Sequence, residues 1–203
     1  MAEAATTERL VYAEYLRQER QSMLKHQWVS GEMFAMTGGT PEHARLQAAV
    51  ASTLAAALAG KPCAVYGADL RIRSRHTDIA TYADVTVVCG QLETDPEDPD
   101  AAINPVVVVE VLSPSTEAYD RGDKAAHYRR IPALREYVLV AQDSRRIEVF
   151  RREDGGRWEF EEASAGQSIR LTSIDAELVV DEIYANPLEA SAGSYQPSGS
   201  ASC

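Results

Sequence analysis

The chain has 203 residues, 45% of them apolar, and a formal net charge of -11 at pH 7. That is enough for one domain, or one domain and a tail, with a substantial core, and it excludes disorder of the whole chain. The acidic balance argues against a surface that grips nucleic acid mainly by neutralising phosphates.

No stretch approaches the roughly 18 to 20 apolar residues of a membrane span, and the opening MAEAATTERL lacks the basic-then-apolar order of a signal peptide. A cytoplasmic location is the expectation. Residues 7–21 place Leu10, Val11, Tyr15 and Leu16 on one side of a helix that Thr7 can cap. Lys25 to Met36 alternates around Ser30-Gly31, as a hairpin or bent strand does. A second helix follows, with Thr40 as cap, Pro41 in its first turn, and a stop at Gly60-Lys61-Pro62 after Ala59.

Cys63 to Arg75 and Thr81 to Cys89 read as two strands joined by a turn at 75–78. The acidic run Glu93, Asp95, Glu97, Asp98 and Asp100 reads as a solvated loop. Pro105 to Leu112 is apolar almost throughout, the pattern of a central strand covered on both faces. A helix over Asp120 to Ile131, a strand over Glu136 to Ala141 and a polar hairpin of 146–152 with 158–162 complete an α/β (α+β) domain, a mixed central sheet flanked by helices, over residues 1–186. Residues 187–203, rich in Ser, Ala, Gly and Pro, read as a disordered tail. The three cysteines, Cys63, Cys89 and Cys203, form no C-x-x-C pair, so neither a disulfide framework nor a zinc site is expected; Cys63 and Cys89 read as small buried hydrophobes.

Glu110 is the most informative residue. A carboxylate inside a continuous valine strand loses its hydration, which costs several kcal/mol (order of magnitude) unless a cation or proton compensates it. An ion pair with an arginine or a neutral Glu would satisfy it. So would a metal, and Asp84 favours that reading. It begins a second apolar strand, Tyr82 to Val88, and two such strands side by side bring both carboxylates to one sheet edge. Hard oxygens of this kind suit Mg²⁺ or Mn²⁺.

At these residues the chain resembles the Uma-two family of restriction-endonuclease-like proteins, within the PD-(D/E)XK nuclease superfamily. The resemblance is carried by Tyr82-Ala83-Asp84-Val85, by Val109-Glu110-Val111-Leu112-Ser113-Pro114-Ser115-Thr116, and by Asp120-Arg121-Gly122-Asp123-Lys124 through Tyr128. It extends from about Glu8 to Tyr184 and includes Val29-Ser30-Gly31-Glu32 and Tyr66 to Arg71. It implies a restriction-endonuclease-like fold, metal ligands at Asp84 and Glu110 joined by the main-chain carbonyl of Val111, and Glu32 as an accessory acid. One departure matters: the signature lysine two residues after the second acid is replaced by Leu112. Lys124 is the expected substitute, brought back beside the sheet by the helix that starts near Asp120; without the resemblance it reads as a surface lysine paired with Asp120 at i,i+4.

The remaining candidates are His43 as an acid or base near a helix start, Asp69 lining the cleft or pairing with Arg71, and Tyr128 one turn after Lys124. Some of Arg71, Arg73 and Arg75 are expected to line the cleft as phosphate contacts, Arg71 and Arg73 first. The leading expectation is metal-dependent phosphodiester hydrolysis, in DNA. The alternatives are a catalytically inactive scaffold of the same fold that binds nucleic acid or a protein partner, as a homodimer, and a metal-dependent hydrolase of another substrate.

Overall fold

The computed structural model describes residues 9–36 and 38–190. Helix α1 spans Tyr12–Glu19 and buries Tyr12, Tyr15, Leu16 and Glu19, an i, i+3, i+4, i+7 stripe. Val11 sits at its cap position without a side-chain bond, and Thr7 lies outside the described residues. Strands β1 (His26–Val29) and β2 (Glu32–Ala35) form the expected hairpin. Its turn needs positive φ at both central residues, and Ser30 (48°) and Gly31 (93°) supply it. In helix α2 (Pro41–Ala57) the Thr40 hydroxyl accepts the His43 N–H at 3.1 Å, as the cap was read.

The two long strands expected next are each broken in two. Cys63–Gly67 (β3) and Arg71–Ser74 (β4) lie in different sheets, as do Ile79–Tyr82 (β5) and Val85–Cys89 (β6). The acidic run is not a solvated loop: Thr94–Asp95 (β7) and Asp98–Ala102 (β8) pair as a hairpin, and Asp95 and Asp98 are buried because Arg75 and Arg71 neutralise them. The central strand is β9 (Val107–Val111), buried at every position. The expected long helix is three short pieces, α3 (Glu117–Tyr119), a π-turn (Asp120–Lys124) and α4 (Ala125–Tyr128). Strands β10 (Glu136–Val140), β11 (Arg146–Arg152) and β12 (Trp158–Ser164) follow as expected; the hairpin β13 (Ser168–Leu171) with β14 (Ala176–Val179) and helix α5 (Val180–Tyr184) have no counterpart in the sequence reading. Pro187–Ala190 makes one helical turn, α6, and the rest of the expected tail lies outside the described residues.

The mixed sheet is therefore two six-stranded sheets, ordered β2-β1-β5-β4-β8-β7 and β12-β11-β10-β9-β6-β3. All neighbours are antiparallel except β4 with β8 and β9 with β10. Alternation along β9 sorts its side chains. Val107, Val109 and Val111 pack with Leu46, Val50 and Leu54 of α2, while Val108 and Leu112 join Ala125, Tyr128 and Tyr137 on the other face. Glu110 falls on that second face. Beneath α1, the other sheet buries Trp28 and Ala80.

The reading of Cys63 and Cys89 is corrected. They stand opposite each other in the β3–β6 ladder with Cα atoms 3.9 Å apart, are only half buried, and are disulfide-bonded. Among the described residues no helix is long and apolar enough to cross a membrane.

Candidate active site

The pairing of β6 with β9 sets Val85 opposite Val109, so Asp84, at the bend where the chain leaves the first sheet for the second, arrives beside Glu110 and Val111. Val111 donates its main-chain N–H to Asp84 Oδ2 at 2.7 Å, and His43 Nε2 stands 3.2 Å from the same oxygen. Val111 thus meets Asp84 through its amide, while a backbone hydrogen bond between the His43 ring and Val111 also favours the charged imidazole. Gln47 of α2 donates to the Asp84 carbonyl at 2.9 Å. His43 is pushed above its ordinary value, first by the bond to Asp84 and against its own partial burial. Its place depends on Gly39, since a Cβ there would lie 2.6 Å from the ring's Cγ and Nδ1.

On the other side Lys124 Nζ lies 2.8 Å from Glu110 Oε1 and 3.4 Å from Asp120 Oδ1, and it donates to the Tyr82 carbonyl at 3.4 Å. The Tyr128 hydroxyl donates to Glu110 Oε1 at 2.9 Å. Glu110 and Lys124 are 4% and 5% exposed. Desolvation pushes Glu110 up to about 8; the Lys124 ammonium opposes this, and the negative charges of Asp120 and Asp84 add to it. Lys124 is raised too: burial works against its charge, but Glu110, Asp120 and Asp84 together outweigh it. The two directions are compatible, because Asp120 holds the ammonium whichever state Glu110 adopts.

Other expected site residues lie elsewhere. Glu32 is exposed on β2, the edge strand of the first sheet. Asp69 is exposed and pairs with Lys25, not Arg71. The arginines expected at phosphates are engaged with the chain's own carboxylates. Arg71 is buried, bidentate to Asp98 (2.7 and 3.0 Å) and donating to the Tyr82 hydroxyl at 2.5 Å. Arg73 is buried with its guanidinium 4.1 Å from the Tyr12 ring centroid and 4.9 Å from that of Trp28, and it also bonds Asp78 at 3.0 Å. Arg75 holds Asp95 and Glu97. Each guanidinium has a carboxylate partner; Arg71 and Arg73 are buried with theirs, and Arg75 is partly exposed. Asp120 is the residue of the cluster to which no site role was given.

The donor set fits a small hard cation sparsely. Among the described residues no group of three or more His, Cys, Asp or Glu could hold an ion, but Mg²⁺ commonly uses one or two carboxylates and keeps its waters. The bonds described for Glu110 fall on Oε1 and those for Asp84 on Oδ2, so the second oxygen of each carboxylate is the one a cation would draw on.

A mixed sheet with an acid at the start of one strand, a second acid inside its neighbour and a lysine closing on that acid is a restriction-endonuclease-like fold. The chain belongs to the Uma2 family, described as "Putative restriction endonuclease", whose profile matches residues 12–181. It is 36% identical over 174 residues to "Uncharacterized protein slr1290" of Synechocystis, covering 84% of this chain and 89% of that one. It is 30% identical over 158 residues to "Uncharacterized protein sll1609" of the same organism, covering 78% and 89%. Among solved structures it matches a "putative nuclease belonging to DUF820" from Anabaena variabilis with TM-score 0.70, at 14% identity, over 86% of this chain and 97% of that one. At that identity the likeness concerns the fold.

Proposed function

We propose that the chain is a Mg²⁺- or Mn²⁺-dependent nuclease that hydrolyses phosphodiester bonds, with DNA as its substrate class. The observation that carries this reading is Lys124 Nζ at 2.8 Å from Glu110 Oε1, an ammonium reaching the acid pair from the π-turn although Leu112 fills the usual position in the strand. Asp84 and Glu110, with the Val111 carbonyl, would hold the cation, whose chemistry is to lower the pKa of a bound water and to offset charge building on the phosphate. Lys124 orients the attacking water and stabilises that charge. Tyr128 and Lys124 fix the Glu110 carboxylate from one side, and the Val111 amide with His43 fixes Asp84 from the other.

The test is cleavage of supercoiled, linear and single-stranded DNA and of RNA with Mg²⁺, with Mn²⁺ and with a chelator, using the parent, Asp84→Asn and Glu110→Gln. Cutting that needs the metal and both acids is expected. Cutting that persists in chelator, or in folded Glu110→Gln, overturns the reading. The ion pairs that occupy Arg71 and Arg73, with the net charge of -11, favour as a second reading an inactive scaffold that binds a protein partner; it requires that neither metal nor acid matter.

A further inference from the structure

The Lys124 ammonium has three protons and three acceptors, Glu110 Oε1 at 2.8 Å, Asp120 Oδ1 at 3.4 Å and the Tyr82 carbonyl at 3.4 Å. Asp120 is 3% exposed, and its own carbonyl accepts the Tyr137 hydroxyl at 2.9 Å, so the residue is held at both ends. The π-turn starts at Asp120 and ends at Lys124, and both residues are buried. A lysine that served only to satisfy Glu110 would need no second buried carboxylate, and burying one is costly.

Charge supplies the reason. Without Asp120, the ammonium would cancel Glu110 and leave a single negative charge, on Asp84, for a divalent cation. With it, counting the carboxylates and the ammonium alone in the ionised state a bound cation would impose, Asp84, Glu110 and Asp120 set three negative charges against one positive and leave two. We infer that Asp120 is a positioning residue: its carboxylate anchors the ammonium and offsets the Lys124 charge, so that the cluster keeps a net negative charge when Asp84 and Glu110 take up a divalent cation. This rests on the metal-dependent reading above.

The test is calorimetric titration of the full chain with MnCl₂ alone, with no substrate present, for the parent, Asp120→Asn, Lys124→Met and the double variant, each checked for fold by near-UV circular dichroism. One unit charge a few Å from a divalent ion changes affinity by about tenfold or more at protein-like dielectric. Asp120→Asn should therefore weaken Mn²⁺ by about that factor, Lys124→Met should bind at least as tightly as the parent, and the double variant should return to within about threefold of it. A purely structural role for Asp120 predicts no such rescue. If Asp120→Asn binds as the parent does, or the double variant stays as weak as the single, the inference is overturned and the metal reading stands. If the parent binds no Mn²⁺, both fall. Should Asp120→Asn fail to fold, Lys124→Met decides: weaker binding there overturns the charge argument.

Discussion

Replacing Arg71 by Met tests whether the arginines of β4 are structural. Arg71 is 5% exposed, places Nε and Nη2 on the two oxygens of Asp98 at 2.7 and 3.0 Å, and gives Nη1 to the Tyr82 hydroxyl. Its guanidinium also lies 5.9 Å from the Tyr15 ring centroid and 5.5 Å from that of Tyr82. Methionine keeps most of the aliphatic stem but strands Asp98, which is fully buried and keeps only the Tyr12 hydroxyl at 2.9 Å and the Asp100 amide at 3.3 Å. Breaking a buried pair from one side costs about 3 to 5 kcal/mol. For a chain of this size each kcal/mol moves the melting temperature by roughly 2 to 4 °C, so a fall of about 6 to 20 °C is expected. Urea denaturation should show a lower midpoint at unchanged slope. Arg71→Met with Asp98→Leu should recover part of the loss and not all, because the Tyr12 hydroxyl then lacks its acceptor. A loss under about 1 kcal/mol, or a variant that keeps its melting temperature but binds DNA with a shallower salt dependence, would refute this reasoning and restore the arginine to phosphate contact.

Lys124→Met should lower turnover at least tenfold, about 1.4 kcal/mol in barrier, in a single-turnover cleavage assay; unchanged turnover removes the lysine from the chemistry. Glu110 is held near 8 in the fold against 4.5 in the unfolded chain, so between those values the unfolded state gives up a proton the folded state keeps, and metal-free stability should fall as pH rises toward 8. Glu110→Gln abolishes that loss, so its melting temperature relative to the parent should be higher at about pH 8.5 than at about pH 5; equal differences at the two would show that Glu110 is not desolvated. Gly39→Ala drives a methyl into the His43 ring, and proton-detected titration should find His43 lowered toward its ordinary value as its bond to Asp84 is lost; an unmoved titration means the ring keeps its place.

Glu110 and Asp84 were legible in the sequence because single carboxylates in valine-rich strands have few ways to be satisfied, and both lie where that argument puts them. The cap of α2, the turn at Ser30-Gly31 and the central strand were legible from local chemistry alone. Lys124 was legible only through the resemblance, since i,i+4 spacing from Asp120 describes a surface pair equally well. The structure contains that pair too, turned inward by a π-turn that no local pattern announces. The pairings of Arg71 and Arg75 were hidden because their carboxylate partners Asp98 and Asp95 stand 27 and 20 residues on, in a run whose acidity suggested solvent. The division into two sheets was hidden because Ala83-Asp84 bends the chain without a Gly or Pro to mark it.

The parallel pairing of β9 with β10 has a consequence for how the site is assembled. Parallel neighbours cannot be joined by a hairpin; the chain must leave the sheet and return by a long crossover. Here that crossover is the segment bearing Asp120, Lys124 and Tyr128, and Leu112 N–H bonding to the Val140 carbonyl at 2.8 Å marks where it departs. The ammonium is carried on a connection that topology demands in any case, and it docks when β10 takes its register. Site completion is then part of the slow, non-local step of folding, and the acid and lysine groups stand together before any substrate arrives.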